Sequence, residues 1–211
     1  MKKMKVSVHG TTGKLGTLIV KELKKSKSFD YAGPVKREEP VPICDVVIDV
    51  SSPEGTRSLL KRLSGEKLVV GTTGDLPMKE LKSYSRNNTV LLVSNFAVGI
   101  HMFKEIISVL LKEIPDQWEV SLSETHHKNK KDSPSGTAKK LAKEIDKKYK
   151  GKLSIKSIRE GKVVGRHVLT LNSKKESLEI IHDVKDRNVF AVGALNFVQM
   201  AMNKKRGLFE I

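Results

Sequence analysis

The chain of 211 residues has a single cysteine, Cys44, and aromatic side chains make up only 5% of it. A lone thiol cannot close an internal disulfide, which suits a reducing, cytoplasmic setting. Scarce aromatics leave few platforms on which nucleobases could stack. No apolar run reaches the ~20 residues that span a bilayer. The opening Met1-Lys2-Lys3-Met4-Lys5-Val6 runs straight into a strand pattern, where a signal peptide would need a longer apolar stretch. Internal repeats and low-complexity segments are also missing. Acidic residues are outnumbered, and the net charge is +16. The lysines are scattered along expected helix faces (Lys21, Lys24 and Lys25; Lys139, Lys140 and Lys143) rather than gathered in one arm. Nucleic acid is therefore not the expected partner; a charged surface, or steering of an anionic cofactor and substrate, fits better. With 38% hydrophobic and 30% charged residues the chain can form a packed core.

What is present reads as short apolar strands alternating with helices. Lys5–Val8 reads as a buried strand that opens directly into a glycine loop. Leu15, Leu18, Ile19 and Leu23 follow at helical spacing, with lysines on the opposite face. Tyr31–Val35 reads as a weak second strand, kept short by Pro34, and the polar stretch 36–44 as a loop. Asp45–Val50 is a third strand, and Ser51-Ser52-Pro53-Glu54 a capped helix start. Lys67–Val70 ends in a second glycine loop, Gly71-Thr72-Thr73-Gly74, with a helix expected around Pro77–Arg86. Thr89–Val93 ends in Ser94-Asn95-Phe96-Ala97. This alternation predicts an α/β fold with a Rossmann-like, doubly wound parallel sheet. After Gly99 the pattern changes to a helix over Ile100–Lys112, a strand over Glu119–Thr125, and a helix over Thr137–Tyr149. Three alternating stretches follow, Leu153–Arg159, Val163–Leu171 and Ser177–His182, which predict a mainly antiparallel sheet. An apolar helix, Val189–Met202, and a last short strand within Gly207–Ile211 close the chain. Two domains are expected: 1–97 with 188–211 for a dinucleotide, and 98–187, of α+β type, for substrate binding and oligomerisation. Hinges are expected near Val98 and Arg187.

The first loop, Gly10-Thr11-Thr12-Gly13-Lys14-Leu15-Gly16, has glycines where a dinucleotide cradle needs them: one for the tight turn, one for backbone approach to phosphate, one for close helix–strand packing. The helix start that follows offers N–H donors to a pyrophosphate. A P-loop is excluded, because Val8 stands where its first glycine belongs and Leu15 where it needs Ser or Thr. After the second strand, where an acid usually grips the ribose hydroxyls, stand Lys36 and Arg37. A basic pair cannot accept from the ribose, but it can bind a 2′-phosphate. NADPH is therefore the expected cofactor, with NADH also usable.

The segment from Glu124 to Ala138 is the richest in chemistry. His126, His127 and Lys130 stand just ahead of a helix start at Ser135-Gly136-Thr137. Histidine suits proton transfer near neutral pH. Lysine supplies full positive charge, and the helix start with the Thr137 hydroxyl supplies donors for an anion. A small substrate with carboxylate groups fits. Two adjacent histidines without cysteine or carboxylate at ligand spacing make a poor zinc site, so no metal is expected. Residue types alone leave a solvated basic loop with an ordinary cap as the alternative.

The same stretch resembles the dihydrodipicolinate reductases, whose signature E-x-H-H-x-x-K-x-D-x-P-S-G-T-A is filled at every fixed position from Glu124 to Ala138. Gly10–Gly16 resembles the family's cofactor loop, with Lys14 where arginine is common. Gly71–Gly74 and Ser94–Gly99 resemble its nicotinamide-side loops, and the run from His182 through Arg187 to Leu195 fits as well. The resemblance covers nearly the whole chain. It departs in a shortened region between the second and third strands, in the missing acid near Lys36, and in a brief tail after Phe209. It implies reduction of a cyclic imine dicarboxylate in lysine (diaminopimelate) biosynthesis by a cytoplasmic homotetramer. His126 and Lys130 would handle the proton. His127, Lys130, Ser135, Gly136 and Thr137 would hold the carboxylates. Gly10 to Leu15, Lys36, Arg37, Gly71, Thr72, Thr73 and Ser94 to Ala97 would hold the cofactor. Two rivals remain. An aspartate-semialdehyde type of dehydrogenase would need a cysteine nucleophile, and Cys44 lies far in sequence from the histidines. A basic nucleotide-sensing or nucleic-acid-binding regulator would bind NADPH without turnover, or DNA with steep salt dependence.

Overall fold

The computed structural model describes residues 3–115 and 117–211. Met1 and Lys2, at the head of the expected first domain, and Asp116 lie outside the described residues. The chain forms two compact units, Met1–Ala97 with Asn188–Ile211, and Val98–Arg187. In chain order, the first unit contributes β1 (Met4–His9), α1 (Lys14–Lys25), β2 (Phe29–Val35), β3 (Val46–Asp49), α2 (Pro53–Leu60), β4 (Lys67–Val70), α3 (Met78–Ser85) and β5 (Thr89–Leu92). The second holds α4 (Val98–Glu113), β6 (Glu119–His126), α5 (Gly136–Asp146), β7 (Leu153–Arg159), β8 (Gly165–Asn172) and β9 (Ser177–Val184). The first then resumes with α6 (Asn188–Asn203) and β10 (Gly207–Glu210).

The six strands of the first unit are all parallel, in the order β10-β5-β4-β3-β1-β2. Both faces are covered, so the strands are apolar on both sides, as parallel sheets require. Val46, Ile48, Val69 and Leu91 pack with Ile19 and Leu23 of α1 and Phe197 and Val198 of α6. Val47, Leu68, Val70 and Val90 pack on the other side with Leu59 of α2 and Leu81 of α3. Pro34 is tolerated because β2 is the outermost strand and pairs with β1 alone. The strand is longer than the proline suggested. It starts at Phe29, whose N–H, like that of Ser28, donates to Ser26 Oγ. Ser52 caps α2 by accepting from Gly55 N–H at 3.1 Å, with Pro53 in the first turn. Lys67 Nζ donates to the carbonyls of Ala201, Met202 and Lys204, tying the end of α6 to β4.

The second unit carries a four-stranded sheet in the order β7-β6-β8-β9. β6–β8 and β8–β9 are antiparallel. β7 departs from the expected antiparallel group and lies parallel to β6. The reason is α5, which carries the chain back along the sheet between them, the crossover that parallel pairing needs. α5 packs on β6 and β7, and α4 on α5 and β9. Val120, Leu122, Leu169 and Leu171 form the buried face of the sheet. Among the described residues, no helix is long and apolar enough to cross a membrane.

Candidate active site

In the first unit, the loop between β1 and α1 is fixed by two glycines. Gly10 has φ +90°, and a Cβ there would lie 2.6 Å from Val50 O. A Cβ on Gly16 would lie 2.1 Å from Gly10 O. Gly13 N–H donates to Gly10 O at 3.1 Å. Thr17 Oγ1 donates to Thr11 O and Gly13 O, a buttress the sequence did not reveal. Gly13 is the N-cap of α1, and no side chain caps it. The N–H groups of the first turn, from Lys14 and Leu15 onward, are therefore left for an outside acceptor. A close-approach loop with an uncapped helix start fits a dinucleotide pyrophosphate.

The other expected cofactor residues divide into exposed and structural. Thr73 and Ser94 are exposed at the ends of β4 and β5. Thr72 is buried, and its Oγ1 accepts from Ser51 N–H at 3.0 Å. Phe96 and Ala97 are in the core. The Phe96 ring lies against Phe197 at 6.0 Å and fills the space above Gly71, where a Cβ would come within 2.2 Å of it. Asn95 Oδ1 accepts from Ala97 N–H. Lys36 and Arg37 are exposed just beyond β2. Lys36 Nζ pairs with Glu39 at 3.2 Å, and Arg62 Nη1 holds the carbonyls of Lys36 and Glu39 at 2.8 and 2.7 Å.

In the second unit the focus is Glu124. β6 alternates with period two, so Val120, Leu122 and Glu124 share the buried face, and the carboxyl takes a core position with no exposure. Its Oε1 accepts from Arg159 Nη2 at 2.8 Å and Ser135 N–H at 3.2 Å, and its Oε2 meets His126 Nδ1. Burial alone would raise this carboxyl. Hydrogen bonds from Arg159, His126 and the Ser135 N–H outweigh it and hold the group ionised, at about 2. An ionised carboxylate only accepts, so His126 Nδ1 carries the hydrogen. Nε2 is left to exchange a proton, and it lies beside Gly165, where a Cβ would come within 3.2 Å. Burial lowers His126 despite the pull of Glu124, with Lys130 and Arg159 adding to the lowering.

Lys130 Nζ pairs with Asp132 Oδ1 at 2.7 Å, and Asp132 Oδ2 accepts from Gly136 N–H at 3.3 Å. Ser135 is the N-cap of α5, its Oγ accepting from Ala138 N–H. The helix start thus has an ordinary serine cap, and Gly136 N–H already has an acidic partner. His126, Lys130, Ser135 and Gly136 are brought together through Glu124 and Asp132. His127 and Thr137 are half-buried neighbours of that network.

Sequence reasoning missed Arg159, which bridges Glu124 and the Asp132 carbonyl. Its signal is its register, since β7 sets Arg159 opposite His126. That partnership is invisible while β7 is read as antiparallel. No group of three or more metal-ligating side chains occurs among the described residues.

The whole chain is similar to known proteins. The family model for the dihydrodipicolinate reductase C-terminus matches residues 99–211, and that for the N-terminus matches 35–96. The 4-hydroxy-tetrahydrodipicolinate reductase of Pelagibacter ubique is 29% identical, covering 100% of this chain and 97% of its own. That of Campylobacter lari is 30% identical, covering 98% and 96%. Among solved structures, the dipicolinate-bound dihydrodipicolinate reductase of Paenisporosarcina sp. TG-14 is similar, with a TM-score of 0.82 and 19% identity. The match covers 99% of this chain and 98% of that one.

Proposed function

The chain belongs to the dihydrodipicolinate reductase family, and from that premise we propose how its own residues carry the family's reaction. The reaction is the nicotinamide-dependent reduction of 4-hydroxy-tetrahydrodipicolinate to tetrahydrodipicolinate in lysine biosynthesis. When bound, the reduced nicotinamide supplies the hydride. The first unit would hold it: the N–H groups at the start of α1 would take the pyrophosphate, and Gly71, Thr73, Ser94 and the backbone of Phe96 and Ala97 would seat the nicotinamide.

The second unit holds the dicarboxylate. Lys130 exchanges Asp132 for a substrate carboxylate, and His127, Gly136 and Thr137 complete the grip. Loss of the 4-hydroxyl as water gives the conjugated dihydrodipicolinate ring; hydride addition to that ring drives electron density toward its nitrogen, and the resulting enamine takes up a proton. His126 Nε2 delivers it. At rest, burial keeps His126 below its ordinary value. Substrate carboxylates beside the ring, and a Lys130 engaged with them, favour the charged ring, so the proton is loaded as substrate binds. The observation that carries this reading is the buried Glu124 carboxyl, shared between Arg159 and His126 Nδ1, which leaves His126 Nε2 for the substrate. The test supplies the product of dihydrodipicolinate synthase and follows NADPH oxidation. Turnover by the parent chain, lost in His126→Gln and Lys130→Met, is expected. Wild-type turnover in either variant overturns the assignment.

NADPH is the preferred cofactor in this reading, with NADH also used. The Lys36–Glu39 pair is exposed, and such pairs are worth about 0–1 kcal/mol, so Lys36 is released to a 2′-phosphate at little cost. Lys36→Glu should raise the KM for NADPH and spare that for NADH. An unchanged NADPH KM removes Lys36 from the site. The enzyme works in the cytoplasm as a homotetramer, joined through the open face of the second-unit sheet. There Val168 and Ile181 pair at the centre, with Ile181 47% exposed, between the paired rows Arg166–Asp183 and Thr170–Glu179. Light scattering reads the assembly, and a monomer for Ile181→Lys is the supporting result.

A further inference from the structure

Strand register places a polar row across the sheet face, between the Arg159–His126 pair and a wholly apolar row. Ser157 of β7 stands opposite Glu124 of β6, Glu124 opposite His167 of β8, and His167 opposite His182 of β9. The adjacent row, Ile155–Leu122–Leu169–Ile180, is wholly apolar. His167 is 3% exposed, yet neither of its ring nitrogens has a hydrogen-bond partner among the described residues. Each such buried polar atom carries a desolvation penalty that an apolar side chain of similar size would avoid. Packing alone therefore does not account for a histidine here.

What the ring touches does. It stands edge-on to His126, with ring centroids 5.5 Å apart and planes at 80°, and its other side lies 6.0 Å from the His182 ring. The groups facing it are His126 and Glu124 from β6, His182 from β9 and Lys130 from the loop. Burial, with further lowering by His126, His182 and Lys130, holds His167 down at about 4, so the ring is neutral through the physiological range. A neutral imidazole places an aromatic edge against His126 without adding charge beside it.

We propose that His167 is a positioning residue for the reduction: its edge-on ring holds the His126 ring in the plane where Nδ1 donates to Glu124 and Nε2 stays free for the substrate's proton. Glu124 alone fixes one end of the His126 ring, and rotation about that bond would swing Nε2 away. His167 blocks this rotation. The inference rests on the assignment of His126 as the proton donor.

The test compares His167→Phe and His167→Gln with His126→Gln. For each, kcat and substrate KM are measured, and the two histidine variants at 167 also have the imidazole nitrogen spectrum of His126 recorded. His167→Phe removes the unpartnered nitrogens, so its Tm should stay within a few degrees, but its longer six-membered ring presses on the His126 ring where the smaller imidazole edge fits. Its kcat should drop on the order of tenfold or more, with KM nearly unchanged, the cost of a slightly misplaced catalytic group. The single Nδ1–H tautomer of His126 should give way to a mixture. His167→Gln, which lacks the ring, should show the same loss of kcat and keeps the test open if the Phe variant does not fold. Parent-like kcat with an unchanged His126 spectrum in whichever variant folds overturns the proposal. If His126→Gln itself keeps its turnover, the underlying assignment fails instead, and the two failures are told apart.

Discussion

Each unit buries one acid against one histidine, and the two pairs are built for different ends. In the first unit Asp49 is fully buried and lies 3.0 Å from His9 Nδ1. Its other partners are neutral donors: Ser51 Oγ at 2.6 Å, Ser51 N–H at 3.2 Å and Thr56 Oγ1 at 2.5 Å. These bonds join the end of β1, the turn after β3 and the first turn of α2 beneath the glycine loop. In the second unit Glu124 is equally buried, but a guanidinium shares its carboxylate with the histidine. The cation fixes Glu124 as an ion, and the ion fixes which nitrogen of His126 carries the hydrogen. Neutral partners tie a scaffold together; a charged partner sets a tautomer.

Exchanging the members of the two pairs should separate these roles most widely. His126→Gln should lower kcat by roughly 10²–10⁴-fold with little change in Tm. His9→Gln should leave kcat at the parent value and cost about 1 kcal/mol of stability. Among the acids, Glu124→Gln keeps the shape but removes the charge. It should lower kcat by about 10² or more as the His126 tautomer is lost. Asp49→Asn should instead cost about 2 kcal/mol in denaturant unfolding and spare kcat. Equal losses of turnover in the two units would end the distinction.

Acid should also sharpen it. A carboxyl held at about 2 in the fold stabilises above its ordinary 4.5, and that contribution is lost as pH falls from there toward 2. A histidine held at about 4 costs nothing above its ordinary 6.5. Below that the unfolded chain takes up the proton first, so stability falls between 6.5 and 4. Both act in the same direction, and each is worth roughly 3 kcal/mol. Unfolding of the second unit should therefore begin below pH 6.5, and His167→Phe should remove the upper part of that loss. An unchanged acid limb in this variant would leave His167 without its depressed affinity for protons.

The fold of the first unit was legible because parallel strands covered on both faces read as continuous apolar runs, as in Val46–Asp49 and Lys67–Val70. The second was legible only in part. Its alternating strands announced a sheet with one exposed face, but period two carries no strand direction, and the parallel placement of β7 depends on the path of α5. Arg159 was lost with that placement. The signature from Glu124 to Ala138 named the residues of the site without stating that Asp132 occupies Lys130 and Gly136. His167 was hidden for another reason: it stands in a β8 pattern that fits a core position, and only the three-dimensional row exposes its unpartnered nitrogens.

The smallest expected effect concerns glycine. In the first unit a methyl on Gly16 would run into the backbone carbonyl of Gly10, which cannot retreat. In the second, a methyl on Gly165 would meet only the His126 ring, at 3.2 Å from Nε2 and 3.5 Å from Cδ2. A ring edge can give by a few tenths of an ångström, whereas a turn closed by its own hydrogen bond cannot. Gly165 lies at the start of β8 with φ outside the left-handed region, so alanine brings no backbone strain there. Gly165→Ala should keep its Tm within a few degrees and lower kcat only a few-fold, because the ring must tilt slightly against His167. In His167→Phe the same substitution should cost a different amount, since residues that position one ring do not act independently. Strict additivity of the two changes in kcat would separate Gly165 and His167, and His126 would then be held by Glu124 alone.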